Sequence, residues 1–310
     1  MIEYSPNRNW WRDLGHLGTS HIIRRLGRAV FAVGGYAAAV TWVVLRVEAE
    51  SPGLVLGAFS LLGVILSIVL VFRTNTAYDR WWEGRKLWGA LVNHSRNLAV
   101  QIDTTFPPED RAARAAFARL IGNFAAALSG HLRGAVEPDA LVPPGPVETE
   151  FAAPPYPPGN LPAGIAHEIV TRIHTARRAG VIDGFDVLAL KPHTQALLDV
   201  AGGCERIRKT PIPFSYAVFI KLFLVLYALI LPVGLAADYG WLTVPLVMLV
   251  VFALLGLELM AGEIENPFGL DCNDLPTGTI ARGIRADAAD LLGRPAVPPA
   301  PEPRPYAKQF

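Results

Sequence analysis

Residues 53–72 read GLVLGAFSLLGVILSIVLVF, and residues 73–88 follow without a break as RTNTAYDRWWEGRKLW. The first run carries no charge and is long enough to cross a hydrocarbon layer of ~30 Å as a helix. The second is dense in charge and tryptophan, yet it contains no proline and one glycine, Gly84. Helical spacing therefore continues past the membrane interface. A helix of this kind can line a pore from the bilayer into a soluble domain.

The rest of the chain fits an integral membrane protein with a large polar part. Of its 310 residues 52% are hydrophobic and 18% charged, and the mean hydropathy is +0.32. A net charge of +1 lacks the basic excess of a nucleic-acid binder. Cys204 and Cys272 are too far apart for a zinc motif or a disulfide framework, and read as free thiols in a reducing cytoplasm. The first 28 residues are polar and show no cleavable signal.

Four apolar runs are predicted to span: Ala29–Val47, Gly53–Phe72, Ser215–Ala236 and Trp241–Leu259. They form two hairpins with short outer loops, one from Arg46 to Pro52 and one from Asp238 to Gly240. Arg24, Arg25, Arg28, Arg73, Arg80, Arg85, Lys86, Arg206, Arg208 and Lys209 flank the opposite side. Positive charge marks the cytoplasmic face. Both termini and the middle of the chain are thus expected in the cytoplasm of a multi-pass inner (plasma) membrane protein. Trp42 and Trp241 would anchor the outer interface. The chain then divides into an N-terminal segment (1–28), a first hairpin (29–72), a cytoplasmic helical domain (73–210), a second hairpin (211–260) and a C-terminal segment (261–310).

The central domain reads as helical, with no alternating strand pattern. Phe117, Leu120, Ile121, Phe124 and Leu128 place a helix over Asp110–Leu132. Further helices are predicted over Gly164–Ala179, with Glu168 and Arg172 paired at i, i+4, and over Asp186–Arg208. Residues 137–162 hold nine prolines and cannot form a helix. The tail beyond Leu292 is also proline-rich and reads as extended.

Enzyme chemistry has no foothold. There is no G-x-S-x-G, HExxH, P-loop or strand-borne GxGxxG. His167 and His174 share a helix face, but no carboxylate or thiol completes a metal set beside them, and they read as a solvated face. Lys221, inside the third run, is read as snorkelling to the nearby interface.

Ser60, Val64, Ile68 and Phe72 recur every fourth residue along the second run. In one chain such a stripe is a packing face; around a symmetry axis it becomes an apolar neck that gates ions by dewetting. Gly57, Gly63 and Ser67 would allow close helix packing. Four spans are too few to enclose a pore, so the channel reading requires a ring of subunits. After the fourth run, Glu263, Glu265, Asn266, Asp271, Asn273 and Asp274 crowd oxygen ligands together. They suit a hard cation such as Ca²⁺ or, equally, a capping and turn segment.

Three motifs in this order resemble the bestrophin family, in its prokaryotic branch: Asp79-Arg80-Trp81-Trp82, Ile212-Pro213-Phe214 and Asn266-Pro267-Phe268-Gly269. The resemblance covers about residues 5–290. It implies an all-α membrane protein with four transmembrane helices per subunit and a helical cytoplasmic domain, assembled as a homopentamer around one axial pore. Aligned through Arg80-Trp81-Trp82, the family's three apolar neck rings fall on Val64, Ile68 and Phe72. A second constriction at the cytoplasmic exit falls on Ile182. The Ca²⁺ clasp of animal members falls on Asn266, Asp271 and Asp274, with Glu263 nearby. Here Leu270, Cys272 and Asn273 interrupt its acidic run.

The expected function is passive flux of small monovalent ions through a hydrophobic neck gate. Animal members pass anions and prokaryotic ones have been associated with cations; apolar rings choose no sign. A secondary transporter and a membrane scaffold without channel activity are the alternatives.

Overall fold

A computed structural model describes residues 21–47, 54–136, 140–143 and 159–293. The described residues form eight α-helices: α1 (His21–Val47), α2 (Leu54–Thr105), α3 (Arg111–Arg133), α4 (Leu161–Arg178), α5 (Gly184–Lys209), α6 (Phe214–Tyr239), α7 (Thr243–Ile264) and α8 (Thr277–Leu291). No strand occurs among them. Most of the proline-rich segment 137–162 and nearly all of the tail beyond Leu292 lie outside the described residues, as do 1–20 and most of the first outer loop.

The helix begun by residues 53–72 does not stop at the charged stretch. α2 is a single helix of 52 residues, about 78 Å at 1.5 Å per residue, and passes Gly84 and Gly89 unbroken. Its buried side runs from Phe59 through Leu66, Leu70, Arg73 and Ala77 to Trp88, Leu91, Leu98 and Ile102, in steps close to multiples of about 3.6 residues. That repeat is the one of a straight helix, so the stripe keeps to one side of α2 along its length.

The chain forms two compact units, and α2 contributes to both. The first takes in α1, α2 as far as Trp81, and Pro211–Asn266. Stretches long and apolar enough to cross a membrane are Ile23–Val47, Gly57–Thr105 and Phe214–Ile264. The last holds two helices, α6 and α7, parted by a 3₁₀ turn at Gly240–Leu242. Gly240 has φ +51°, a conformation that costs glycine nothing and other residues a good deal. Beyond the turn the helices double back: Leu224 and Val225 of α6 share a groove with Leu255 and Leu259 of α7.

Helix directions in this unit follow from its side-chain contacts. A Cβ on Gly256 would lie 3.5 Å from Leu26, and one on Gly34 would strike Met248, so α1 and α7 are antiparallel. Phe59 faces Gly234, and Tyr227 faces Gly63, so α2 and α6 are antiparallel as well. Each contact seats a larger side chain against a glycine. In a membrane, where lipid is as apolar as leucine, such close backbone approach is a main source of helix association. Gly63 packs as its sequence predicts; a Cβ on Gly57 would meet nothing within 4 Å.

The second unit contains Trp82–Thr210 and the chain from Pro267. Its centre is α3, buried without interruption from Ala116 to Ala125. The Asp110 side chain caps α3 by accepting from Ala113 N–H at 3.0 Å. Asp183 and Asp186 form a reciprocal capping box at the start of α5, with N···O distances of 2.9 Å each way. Glu168 joins Arg172 at 2.9 Å on α4 and lies 3.6 Å from Arg119 of α3.

Candidate pore-lining site

The helix that decides the fold also carries the candidate site. At about 100° per residue, Val64 and Ile68 lie about 160° and 200° around α2 from Leu66, on the side opposite the buried stripe. Phe72 lies about 240° around. All three are exposed in the single chain: Val64 54%, Ile68 51% and Phe72 63%. The chain thus packs one side of α2 against itself and leaves three large apolar side chains of the opposite side uncovered. Leu61 and Val71 are exposed too. Hydroxyls on this stretch return their protons to the helix: Ser67 donates to the Gly63 carbonyl and Thr76 to that of Phe72, at 2.8 and 2.9 Å.

What fixes the rotation of α2 is Arg73, next to Phe72 in sequence and almost fully buried. Its Nη2 donates to Glu265 Oε2 at 2.7 Å, and its Nε lies 3.6 Å from Glu258. Glu265 is a hub. Its Oε1 accepts from the backbone N–H of Ile212 at 3.0 Å, and its carbonyl accepts from Arg80 Nε at 2.9 Å. The end of α7, the start of α6 and the middle of α2 are therefore tied at one carboxylate. Sequence reasoning missed this site, counting Arg73 only as an interfacial charge and Glu265 only as one acid among several. A faint signal was available, since two of the three motifs, at Arg80 and Ile212, meet at Glu265, and the third begins one residue later.

In the second unit, Ile182 lies in the turn between α4 and α5. It is 5% exposed in the single chain. The exposed apolar groups beside it are Val181 and, at 81%, Phe185 in the first turn of α5. The register of this turn is set by the Asp183 cap.

The oxygen-rich segment after α7 is used in part for turn formation. Asp274 is buried, and its Oδ2 accepts from Asp271 N–H at 2.6 Å, while its own N–H donates to the Asp271 carbonyl at 3.2 Å. Asp271 and Asn266 are exposed, and Glu263 is partly exposed in the last turn of α7. Among the described residues, no three His, Cys, Asp or Glu side chains are grouped to hold a metal ion. The bonds between Asp271 and Asp274 close a turn. Phe268, from the third motif, is fully buried, and a Cβ added at Gly84 would sit 3.2 Å from its ring. Lys221 is exposed on α6, and His167 and His174 belong to no group of three or more ligating side chains among the described residues.

Helices without strands among the described residues, several of them long and apolar enough to span a membrane, define the class, an integral membrane protein. A model of the family described as "Bacterial/Fungal Bestrophin protein" matches residues 1–290. A voltage-dependent anion channel-forming protein of Ralstonia nicotianae is 34% identical over 300 residues, covering 94% of this chain and 95% of that one. A protein of the same description from a Nostoc species is 38% identical over 231 residues, covering 74% and 75%. The crystal structure of a bacterial bestrophin homologue from Klebsiella pneumoniae superposes with a TM-score of 0.75 at 28% identity, covering 88% of this chain and 99% of that one. The chain belongs to the bestrophin family.

Proposed function

We propose that the protein is a passive ion channel, a homopentamer in which α2 of each subunit faces a common axis. The observation that carries this reading is the exposure of Val64, Ile68 and Phe72 on the side of α2 away from its own chain's packing face. In a ring of copies these side chains become three apolar constrictions, which hold back hydrated ions until the neck widens. Each subunit crosses the bilayer four times, through α1, the start of α2, α6 and α7. Positive charges at Arg24, Arg25, Arg28, Arg73 and Arg80 set the termini in the cytoplasm of the inner membrane.

The ion is a small monovalent anion such as chloride. The apolar neck selects no sign by itself; the anion reading comes from relatives described as anion channel-forming. We assign the cytoplasmic exit to the turn before α5, with Ile182 as its constriction and the exposed Val181 and Phe185 beside it. An Ile68→Ala channel reconstituted in a planar bilayer should show higher conductance or more frequent spontaneous opening. Unchanged single-channel currents from correctly assembled protein would remove Ile68 from the gate.

A further inference from the structure

In the second unit α5 runs antiparallel to α2, as the order of their contacts shows. Glu83 of α2 pairs with Arg206 of α5. A Cβ on Gly203 would meet Leu87 at 3.0 Å. His94 meets His193, their Nδ1 atoms 3.1 Å apart. Both rings are half-buried. Their centroids stand 5.4 Å apart, which with that N···N contact sets the rings nose to nose.

At this distance one Nδ1 carries a proton and the other a lone pair. Gln101, two turns beyond His94 on α2, decides which. Its amide lies 3.2 Å from His193 Nε2, and its Oε1 is buried and meets no donor among the described residues. With the Oε1 end of the amide turned to the ring, it accepts from His193 Nε2–H and is paired. His193 Nδ1 then holds the lone pair, and His94 Nδ1–H donates to it.

Protons added to this pair act in two steps. The first takes the outer nitrogen of His94 and charges the donor, which strengthens the bond. The second takes His193 Nδ1, the acceptor itself, and sets two N–H groups and two positive charges face to face. Burial and His94 lower the pKa of His193 from 6.5, so this step falls on the acid side of neutrality. No residue three or four positions from either ring is charged. Nearby in sequence, Arg96 is bonded to Asp287 of α8 and Asp103 to Arg114 of α3, while Lys191 and Asp199 of α5 are exposed.

The ties at the far end of α5 respond in the opposite sense. His131 of α3 lies 3.2 Å from Glu205. Glu205 keeps its charge to lower pH because Lys209 hydrogen-bonds it. Protonating His131 therefore strengthens that tie. Glu205 and Arg206 lie in the last two turns of α5, whereas His193 lies in its first half.

We propose that His94 and His193 form a proton-operated clasp, which holds the first half of α5 to α2 near neutral pH and releases it in acid while the far end stays tied. The clasp lies in the second unit and does not depend on the pore reading.

Hydrogen exchange of the detergent-solubilised full chain, read by mass spectrometry at about pH 7.5 and about pH 5, tests this. After correction for the intrinsic pH dependence of exchange, amides of residues 187–197 should exchange about tenfold faster at the lower pH, as expected for the loss of one hydrogen bond. Amides of residues 204–209 and of α3 should change less. His193→Gln supplies an acceptor that does not titrate, and His94→Gln presents either end of its amide, so each should keep α5 closed at both pH values. Either variant alone serves should the other fail to fold. Equal protection of the wild-type α5 at the two pH values overturns the proposal. So does an acid response that survives in the variants, or one that α3 shares in full, because the whole unit would then be loosening.

Discussion

Arg73 and Phe72 are neighbours in sequence, yet one is buried and the other exposed. The Arg73 bond to Glu265 fixes the rotation of α2 and so decides what the adjacent ring faces. Removing one partner of a buried ion pair strands the other, at a cost of about 3–5 kcal/mol. Arg73→Gln should therefore lower the thermal unfolding midpoint sharply, and Arg73→Lys should rescue it only in part, because lysine lacks the planar fork. Equal midpoints for wild type and Arg73→Gln in a detergent melt would show that Glu265 does not hold α2. The thiols give a second check. Burial, with Glu83 and Glu205 nearby, pushes Cys204 up to about 12, whereas Cys272 is partly exposed. A maleimide should label the native chain at Cys272 alone, and rapid labelling of both positions would contradict the packing of α5. At this scale the sequence was uneven in what it revealed. Four-residue spacing singled out Val64, Ile68 and Phe72, because periodicity reports helix faces directly. It could not tell which residue beside the turn at Asp183 points outward, because that depends on a cap formed between Asp183 and Asp186.

Among the elements, α2 was the most legible, since an uncharged run followed by helical spacing without proline leaves few alternatives. The helices over Asp110–Leu132, Gly164–Ala179 and Asp186–Arg208 were also expected; α3, α4 and α5 differ from those ranges by at most three residues at either end. What stayed hidden was the pairing of elements, which depends on side chains distant in sequence. Gly234 shows this. A Cβ there would come within 1.8 Å of the Phe59 ring, so α6 approaches α2 too closely for any other residue. Gly234→Ala should cost a few kcal/mol through overpacking, seen as loss of a monodisperse peak in size-exclusion chromatography; a well-behaved, equally stable variant would refute the packing. α2 and α5 meet at His94 and His193, with Nδ1 atoms 3.1 Å apart and His193 Nε2 3.2 Å from Gln101. Burial and the neighbouring His94 lower the pKa of His193 from 6.5. The unfolded chain therefore takes up this proton first as pH falls. Stability is retained above about pH 6.5 and lost on acidification below it. His193→Gln should flatten that acid limb of the stability profile, and an unchanged limb would exclude His193 as its source.

For the whole molecule, the two units and the antiparallel pairing of α1 with α7 and of α2 with α6 show how one chain packs the membrane helices without covering the outer side of α2. Assembly was legible only as a geometric need, because four helices cannot surround a pore. The inferred ring converts an apolar stripe, which on a monomer would be a surface liability, into a gate. Ion sign belongs to this scale too, since it depends on the field of all subunits together and not on any one apolar ring. The most direct measurement is the reversal potential of purified protein in a planar bilayer under a KCl gradient. Discrete currents that reverse near the chloride equilibrium potential are expected. Reversal near the potassium potential would contradict the anion assignment, and the absence of any current from protein shown to be pentameric would contradict the channel itself.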